Sequence, residues 1–269
     1  MKKRLDIALI DRGFATGRDK AKALIMTGNV FVNGQRFDKA GEDVSDDDVI
    51  EVRGEQLRYV SRGGLKLEKA LDAFKISLEG KRCCDFGAST GGFTDCMLQN
   101  GAEHVYAFDV GYGQLAWKLR QSNQVTNFER KNVRYLTVEE IGCQVDFITV
   151  DVSFISLSLI LPVVERFLKD DALCVCLIKP QFEAGRENVE KKGVVKDPKV
   201  HVEVIAKIIN FAENSGFLIK GLDFSPVKGP EGNIEYLLFI QKGLNIEPFM
   251  QQNILAVVED AHNQLTRKA

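Results

Sequence analysis

The sequence predicts an α/β protein, a largely parallel sheet of seven strands preceded by a small α+β unit. Three observations predict it. Apolar runs of strand length alternate with helical patterns from residue 82 to residue 178. The first 58 residues read differently, as two short amphipathic stretches followed by Val30-Phe31-Val32 and the turn pair Asn33-Gly34. The length of 269 residues, 45% of them hydrophobic, is enough for one large core and one small one.

The elements follow in order. Leu5, Ala8 and Leu9 recur at helical spacing, and Ala21, Leu24 and Ile25 do so again after Thr16-Gly17-Arg18. A strand at 30–32 turns at Asn33-Gly34. Gly41, Val44 and the acidic run Asp46-Asp47-Asp48 then read as a turn before a last short strand at 49–52. A linker near 54–58 closes a first domain of residues 1–58. The second domain, 59–245, has expected strands at 82–86, 105–109, 125–128, 147–150 and 173–178, with an antiparallel pair at 217–224 and 234–241. Residues 246–269 read as a C-terminal helix carrying Ile254, Val257 and Val258. Its apolar stripe fits packing on the core and holding a partner equally well.

Bulk charge exerts little pull on a polyanion, since the net charge is -2. The charge is uneven, however: residues 1–40 hold nine Lys and Arg against four Asp. A secretory signal is not expected, because Asp6 interrupts the apolar run after the basic start and Asp11-Arg12 ends it. The longest apolar run, 172–178, is far short of the roughly 20 residues that span a bilayer, so no membrane segment is expected. Six cysteines make a poor disulfide framework for this length, and Cys174-x-Cys176 has the wrong spacing for zinc. Cys83-Cys84 belongs to the first strand of the large sheet. Reduced thiols, a cytoplasmic location and no metal site are the expectation.

In such a sheet, ligands sit beyond the carboxyl ends of the strands, where strand order reverses. The strand at 82–86 runs straight into Gly87-Ala88-Ser89-Thr90-Gly91-Gly92-Phe93, a glycine loop that lets backbone approach a ligand closely. No Gly-Lys-Ser/Thr follows and the dinucleotide pattern Gly-x-Gly-x-x-Gly is absent, which disfavours phosphate cradling. Asp109 ends the next strand, where a carboxylate can accept from both hydroxyls of an adenosine ribose; the bland alternative is a helix cap. Adenosine recognition without a phosphate loop points to S-adenosylmethionine over NAD.

Asp151-Val152-Ser153-Phe154 ends the fourth strand. It lacks the Pro-Pro-aromatic tetrad that clamps a base amino group, and no Pro-Cys pair supplies a nucleophile for carbon attack on a pyrimidine. A hydroxyl acceptor remains, and a hydroxyl needs help to lose its proton. Lys179, at the end of the fifth strand, can provide that help. Burial favours its neutral form and Asp151, one strand over, favours its charged form; the residues alone leave that balance open, as they do a simpler reach from strand end to water.

Arg4-Leu5-Asp6, Arg18-Asp19-Lys20-Ala21, Leu24-Ile25 and the run from Gly28 to Gly34 resemble an S4 RNA-binding domain over nearly all of residues 1–56. The resemblance implies that Arg4, Arg18, Lys20, Lys22, Asn33 and Arg36, with Arg62 beyond them, grip an RNA backbone, each neutralised phosphate releasing counterions. A solvated basic face without a ligand is the alternative. Gly17 stands where that family usually has Ser, which passes the cap of the second helix to Thr16.

Ser61-Arg62-Gly63-Gly64-Leu65-Lys66, the glycine loop, Asp151-Val152-Ser153-Phe154, Ile178-Lys179-Pro180-Gln181-Phe182-Glu183 and the run from Gly229 to Tyr236 together resemble the TlyA, or hemolysin A-like, family. Its catalytic domain is similar to the FtsJ ribose methyltransferases, with a Rossmann-like seven-stranded sheet that uses S-adenosylmethionine. By motif position the resemblance implies a catalytic tetrad of Lys66, Asp151, Lys179 and Glu235. It implies a cofactor pocket lined by Gly87, Ser89, Gly91, Gly92, Phe93, Asp109 and Asp151, with Asn132 and its neighbour Arg134 at the adenine position. It also implies cytidine ribose in ribosomal RNA as the acceptor and a ribosomal subunit as partner; neither the subunit nor the oligomeric state is written in the residues. Two rival readings are a non-catalytic RNA-binding or ribosome-assembly factor and a membrane-lytic hemolysin. The missing export signal and long amphipathic apolar stretch oppose the second.

Overall fold

The computed structural model describes residues 2–15, 17–26, 28–53, 58–243 and 251–266. The expected cap Thr16 and most of the expected linker, 54–57, lie outside them. The chain divides into two compact units, Met1–Arg62 and Gly63–Ala269.

The first unit comprises β1 (Lys2–Arg4), α1 (Leu5–Asp11), α2 (Arg18–Met26), β2 (Val30–Val32), β3 (Gln35–Phe37), β4 (Asp43–Ser45) and β5 (Ile50–Val52). Leu5, Ala8 and Leu9 of α1 meet Ala21 and Ile25 of α2 over Val30, Val32, Val44 and Ile50, as helical and alternating spacing require. Asn33 and Gly34 both take positive φ, 49° and 80°, the backbone that a two-residue hairpin needs to match strand twist. β3, β2 and β5 form one antiparallel sheet. The pair β1–β4, antiparallel between Lys2–Arg4 and Asp43–Ser45, was not expected from the sequence. Its strands are three residues long and mostly charged, so no apolar alternation marks them.

The second unit begins with α3 (Gly63–Phe74) and then alternates. β6 (Arg82–Phe86), α4 (Gly92–Gln99), β7 (His104–Phe108), α5 (Trp117–Arg120) and β8 (Val125–Phe128) form one wing of the sheet. β9 (Val145–Val150), α6 (Leu161–Phe167), β10 (Leu168–Ile178), α7 (Pro180–Glu183) and α8 (Pro198–Asn214) lead into the other, completed by β11 (Phe217–Phe224) and β12 (Tyr236–Lys242). The strand order is β11-β12-β10-β9-β6-β7-β8, with five parallel strands and β12 antiparallel to both β10 and β11. This is the expected mixed α/β sheet with its terminal antiparallel pair.

Several strand limits differ from the expected ones by one or two residues, as in β7 (His104–Phe108, expected 105–109) and β9 (Val145–Val150, expected 147–150), and two strand starts differ for a visible reason. β10 starts five residues early, at Leu168, because its exposed Lys169-Asp170-Asp171 stretch is an irregular extension whose register shifts before Leu173. β12 starts at Tyr236 rather than at 234, because the Gly229 amide donates to the Asn233 carbonyl at 2.9 Å and closes a turn there.

Both faces of the sheet are covered, which accounts for strands such as Cys83–Phe86 and Cys174–Ile178 being buried on successive residues. All six cysteines are free thiols. α8 starts on Pro198 with Asp197 as its cap, the carboxylate accepting from the Lys199 amide at 2.9 Å. α9 (Gln251–Thr266) packs on α8 and β11 through buried Ile254, Val258 and Ala261. Its stripe therefore faces the core, where Ile254 and Val258 each contribute about 2 kcal/mol. No helix among the described residues is long and apolar enough to cross a membrane.

Candidate active site

The site lies where the two wings of the sheet part, beyond the carboxyl ends of β6 and β9. β6 leads to β7 on one side while β9 leads to β10 on the other, so the loops after them diverge and leave a crevice. Gly87 opens the loop after β6 with φ +90°, and a Cβ there would lie 2.6 Å from the carbonyl oxygen of Asp151. Only glycine lets β6 and β9 converge so closely. Gly87 and Ala88 both donate to the carbonyl of Phe108, at 2.9 and 3.0 Å, which ties the loop to β7.

Asp109 follows β7 and pins this rim. Its two oxygens accept from the amides of Ser89 and Gly111, each at 2.7 Å. Each oxygen retains acceptor capacity for a ribose hydroxyl. Beneath the loop, Asp85 is fully buried and accepts from the hydroxyls of Thr94 at 2.7 Å and Thr149 at 3.0 Å. Burial pushes its carboxyl up to about 6. Gly91, in left-handed backbone at φ +93°, stands at the N-cap of α4, and Gly92 and Phe93 follow it into the core. Phe93 is 3% exposed and packs as a core side chain, so what it offers the crevice is backbone. Asn132, expected from the resemblance at the adenine, is exposed and caps the turn Val133–Tyr135 by accepting from the Arg134 amide at 3.0 Å.

Four charged side chains converge opposite this loop. Antiparallel register places Ile178 across from Tyr236, so Lys179 and Glu235, the next residues outward, leave the sheet side by side. Parallel register places Cys176 beside Val150, which brings Asp151 to the same end. Lys66 enters from the first turn of α3. Its Nζ lies 2.5 Å from Oε2 of Glu235 and 3.7 Å from Oδ2 of Asp151. Nζ of Lys179 lies 2.6 Å from Oδ1 of Asp151 and donates to Oγ of Ser153 at 3.1 Å. Lys66, Lys179 and Glu235 are all buried. Burial pushes the Lys66 ammonium down, but the carboxylates of Asp151 and Glu235 outweigh it and hold Lys66 above its ordinary value. Burial likewise raises Asp151, and Lys66 and Lys179 outweigh it, so that carboxyl stays below the usual range.

Three neighbours were not singled out by sequence reasoning. Ser153 holds Lys179. Glu183, buried on α7, accepts from the Leu157 amide and the Ser156 hydroxyl, both at 2.7 Å, and so fastens the segment after Asp151 to the segment after Lys179. Phe154 is 90% exposed and has φ +63°, a strained backbone for an aromatic residue, with its ring 5.0 Å from that of Phe182. A strained residue with an exposed ring beside a buried ionic cluster is an available stacking face. No sequence pattern distinguishes such a ring from a core phenylalanine.

In the first unit, the residues expected to touch RNA divide into two groups. Lys20, Lys22 and Arg36 are exposed, and Arg36 lays its guanidinium against Gly28. Arg4 and Arg18 are half-exposed and share the buried carboxylate of Asp6. Asn33 spends its side chain inside the unit, donating to Asp48 and accepting from the Val49 amide, both at 2.9 Å. It is a tie between turns. Arg62, at the end of this unit, is half-buried.

A parallel sheet with a glycine crevice at its switch point, a carboxylate-pinned rim and a Lys-Asp-Lys-Glu cluster defines a group-transfer enzyme of the methyltransferase class. The profile of the FtsJ-like methyltransferase family matches residues 59–242 and that of the S4 domain matches residues 3–50. The chain belongs to the FtsJ-like methyltransferase family, with an S4 domain at its N-terminus. It is 52% identical over 99% of its length, and 96% of the relative's, to YqxC of Bacillus subtilis, which is named as a candidate rRNA methyltransferase. It is 45% identical over 88% of its length, and 89% of the relative's, to the 16S/23S rRNA (cytidine-2'-O)-methyltransferase TlyA of Mycobacterium tuberculosis. A solved structure from Streptococcus thermophilus, described as a candidate hemolysin, matches with a TM-score of 0.80 and 46% identity, covering 99% of this chain and 98% of that one.

Proposed function

We propose that this chain methylates the 2'-hydroxyl of a cytidine ribose in ribosomal RNA, using S-adenosylmethionine. The observation that carries this reading is the sharing of one carboxylate, Asp151, by two buried lysines, one of which is also held by Glu235. The crevice fits the cofactor: a close-approach loop at Gly87, a carboxylate rim at Asp109 and no Lys or Arg in the loop 87–93 suit an adenosine and a cation better than a diphosphate. Gly87, Ser89, Gly91, Asp109 and Asp151 would hold it, with Asn132 beside the base. When bound, it supplies a methyl group activated by a positively charged sulfur.

The protein's own groups divide the remaining work. Lys66, held charged by two carboxylates, directs N–H donors at the acceptor oxygen and so orients it. Nζ of Lys179 accepts the hydroxyl proton as the oxygen attacks. Asp151 keeps Lys179 aimed and stabilises the ammonium that results, and Glu235 keeps Lys66 from competing for the same carboxylate. Phe154 offers its exposed ring to a base next to the acceptor ribose. The basic face of the S4 domain supplies non-specific backbone affinity, and the reaction places the enzyme with ribosomal RNA in the cytoplasm.

Mapping ribose methylation in ribosomal RNA from cells with and without the gene tests the reading. Loss of one or more 2'-O-methylcytidines that returns with the wild-type gene and not with a Lys179→Ala allele is expected. An unchanged methylation map would reject it.

A further inference from the structure

Asp6 is an anion in the wrong place for a surface that binds RNA, since each negative charge there subtracts from the phosphate attraction that the basic residues build up. It is fully buried in the first turn of α1. A buried carboxylate persists only where hydrogen bonds and opposite charge replace its water. Arg4, at the end of β1, meets it with two donors, Nε on Oδ1 at 3.0 Å and Nη2 on Oδ2 at 3.1 Å. Arg18, the first residue of α2, adds Nη2 on Oδ2 at 3.3 Å. Two guanidinium groups from separate elements are thus drawn to one anion, which offsets their mutual repulsion and fixes long side chains that would otherwise sample many rotamers.

The bonds to Asp6 take only some of the five N–H donors that each guanidinium carries. Both arginine side chains keep about half of their surface open, at 47% and 58% exposed. Lys22, four residues after Arg18 on α2 and exposed, extends the same helical face. We propose that Asp6 is a positioning residue for RNA: its carboxylate preorganises Arg4 and Arg18 so that their remaining donors meet adjacent phosphates without a loss of side-chain freedom on binding. This rests on the reading that the S4 face grips RNA.

The sign of one substitution separates this from simple charge counting. Asp6→Asn removes a negative charge, so charge counting predicts tighter binding and a steeper salt dependence. Preorganisation predicts weaker binding, by about tenfold. The full chain would be titrated with fluorescein-labelled ribosomal RNA transcripts over a salt series, as wild type, Asp6→Asn, the double variant Arg4→Ala/Arg18→Ala, and all three changes together. The expected result is that Asp6→Asn weakens binding in the wild-type background and leaves it unchanged or tightens it in the double-variant background, because Asp6 acts through the two arginines. Unchanged or tighter binding by Asp6→Asn alone overturns the proposal. So does equal weakening in both backgrounds, which marks damage to the fold. If the double variant binds as well as wild type, the RNA-gripping role of this face is itself rejected. Asp6→Ser supplies the same comparison with a smaller side chain should Asn not fit the buried site.

Discussion

Lys66 and Lys179 divide the two oxygens of Asp151 between them, Lys179 at 2.6 Å from Oδ1 and Lys66 at 3.7 Å from Oδ2. The two lysines are not equivalent. Lys66 is held charged by Asp151 and by a second carboxylate, Glu235, whereas the further partner of Lys179 is the neutral hydroxyl of Ser153. The asymmetry supports the proposed division of work, in which Lys66 orients the acceptor and Lys179 takes its proton.

Lys179→Ala is therefore expected to lower single-turnover methyl transfer by about a thousandfold, the range for removing a general base, while calorimetry with S-adenosylmethionine still finds binding. Near wild-type turnover would remove Lys179 from the base role. Lys66→Ala should also be slow, without a new ionisation in the pH–rate profile.

Asp109→Ala should weaken cofactor binding by about tenfold or more, because a charged acceptor is lost and the Ser89 and Gly111 amides lose their partner. RNA affinity measured without cofactor should stay as it is. A matching loss of both affinities would point to misfolding and would retire the ribose role.

Phe154→Gly separates function from stability. Glycine adopts φ +63° without strain, so the urea midpoint should be no lower than that of wild type. Methyl transfer should fall by about tenfold, the scale of one base–aromatic stack. Full activity in the glycine variant would mean that the exposed ring contacts nothing in the reaction.

Asp85 makes stability depend on pH in an unusual direction. Its folded value of about 6 lies above the ordinary 3.8, so between those values the folded protein binds the proton more tightly than the unfolded chain does. This contribution is present at the acid end of that window and is lost as pH rises through 6. Asp85→Asn should remove that slope and raise stability at pH 7 by about 2–3 kcal/mol, as read by urea unfolding between pH 4 and pH 7. A variant less stable at pH 7 would show that the two threonine hydroxyls need a carboxylate.

The large sheet was legible because parallel strands covered on both faces are rich in apolar residues, as Cys174–Ile178 is throughout, and the strands expected at 82–86 and 125–128 match residue for residue even though each carries polar side chains. The hairpin at Asn33-Gly34 was legible because few other dipeptides accept two left-handed residues in a row. The pair β1–β4 was not, since three charged residues carry no alternation. Within the site, Asp109, Asp151 and Lys179 stand at strand ends, where position alone suggests a role. Lys66 and Glu235 entered only through the family resemblance, because their contact joins residues 169 apart and exists only once α3 has docked on the sheet. Phe154 was invisible for another reason: its importance lies in a backbone angle and an exposed ring, and neither is a property of residue type. Asn33 shows the reverse case, where a polar residue in a matching motif turned out to be engaged by its own unit.

The facing of Ile178 and Tyr236 carries one further implication. Side chains alternate along a strand, so sliding β12 by a single residue would send the Glu235 carboxylate to the opposite surface and replace it with a neighbour of different chemistry. An insertion or deletion inside β10 or β12 would therefore separate Glu235 from Lys66. Three of the four charged side chains, Asp151, Lys179 and Glu235, inherit their adjacency from main-chain pairing, and Lys66 reaches them from α3.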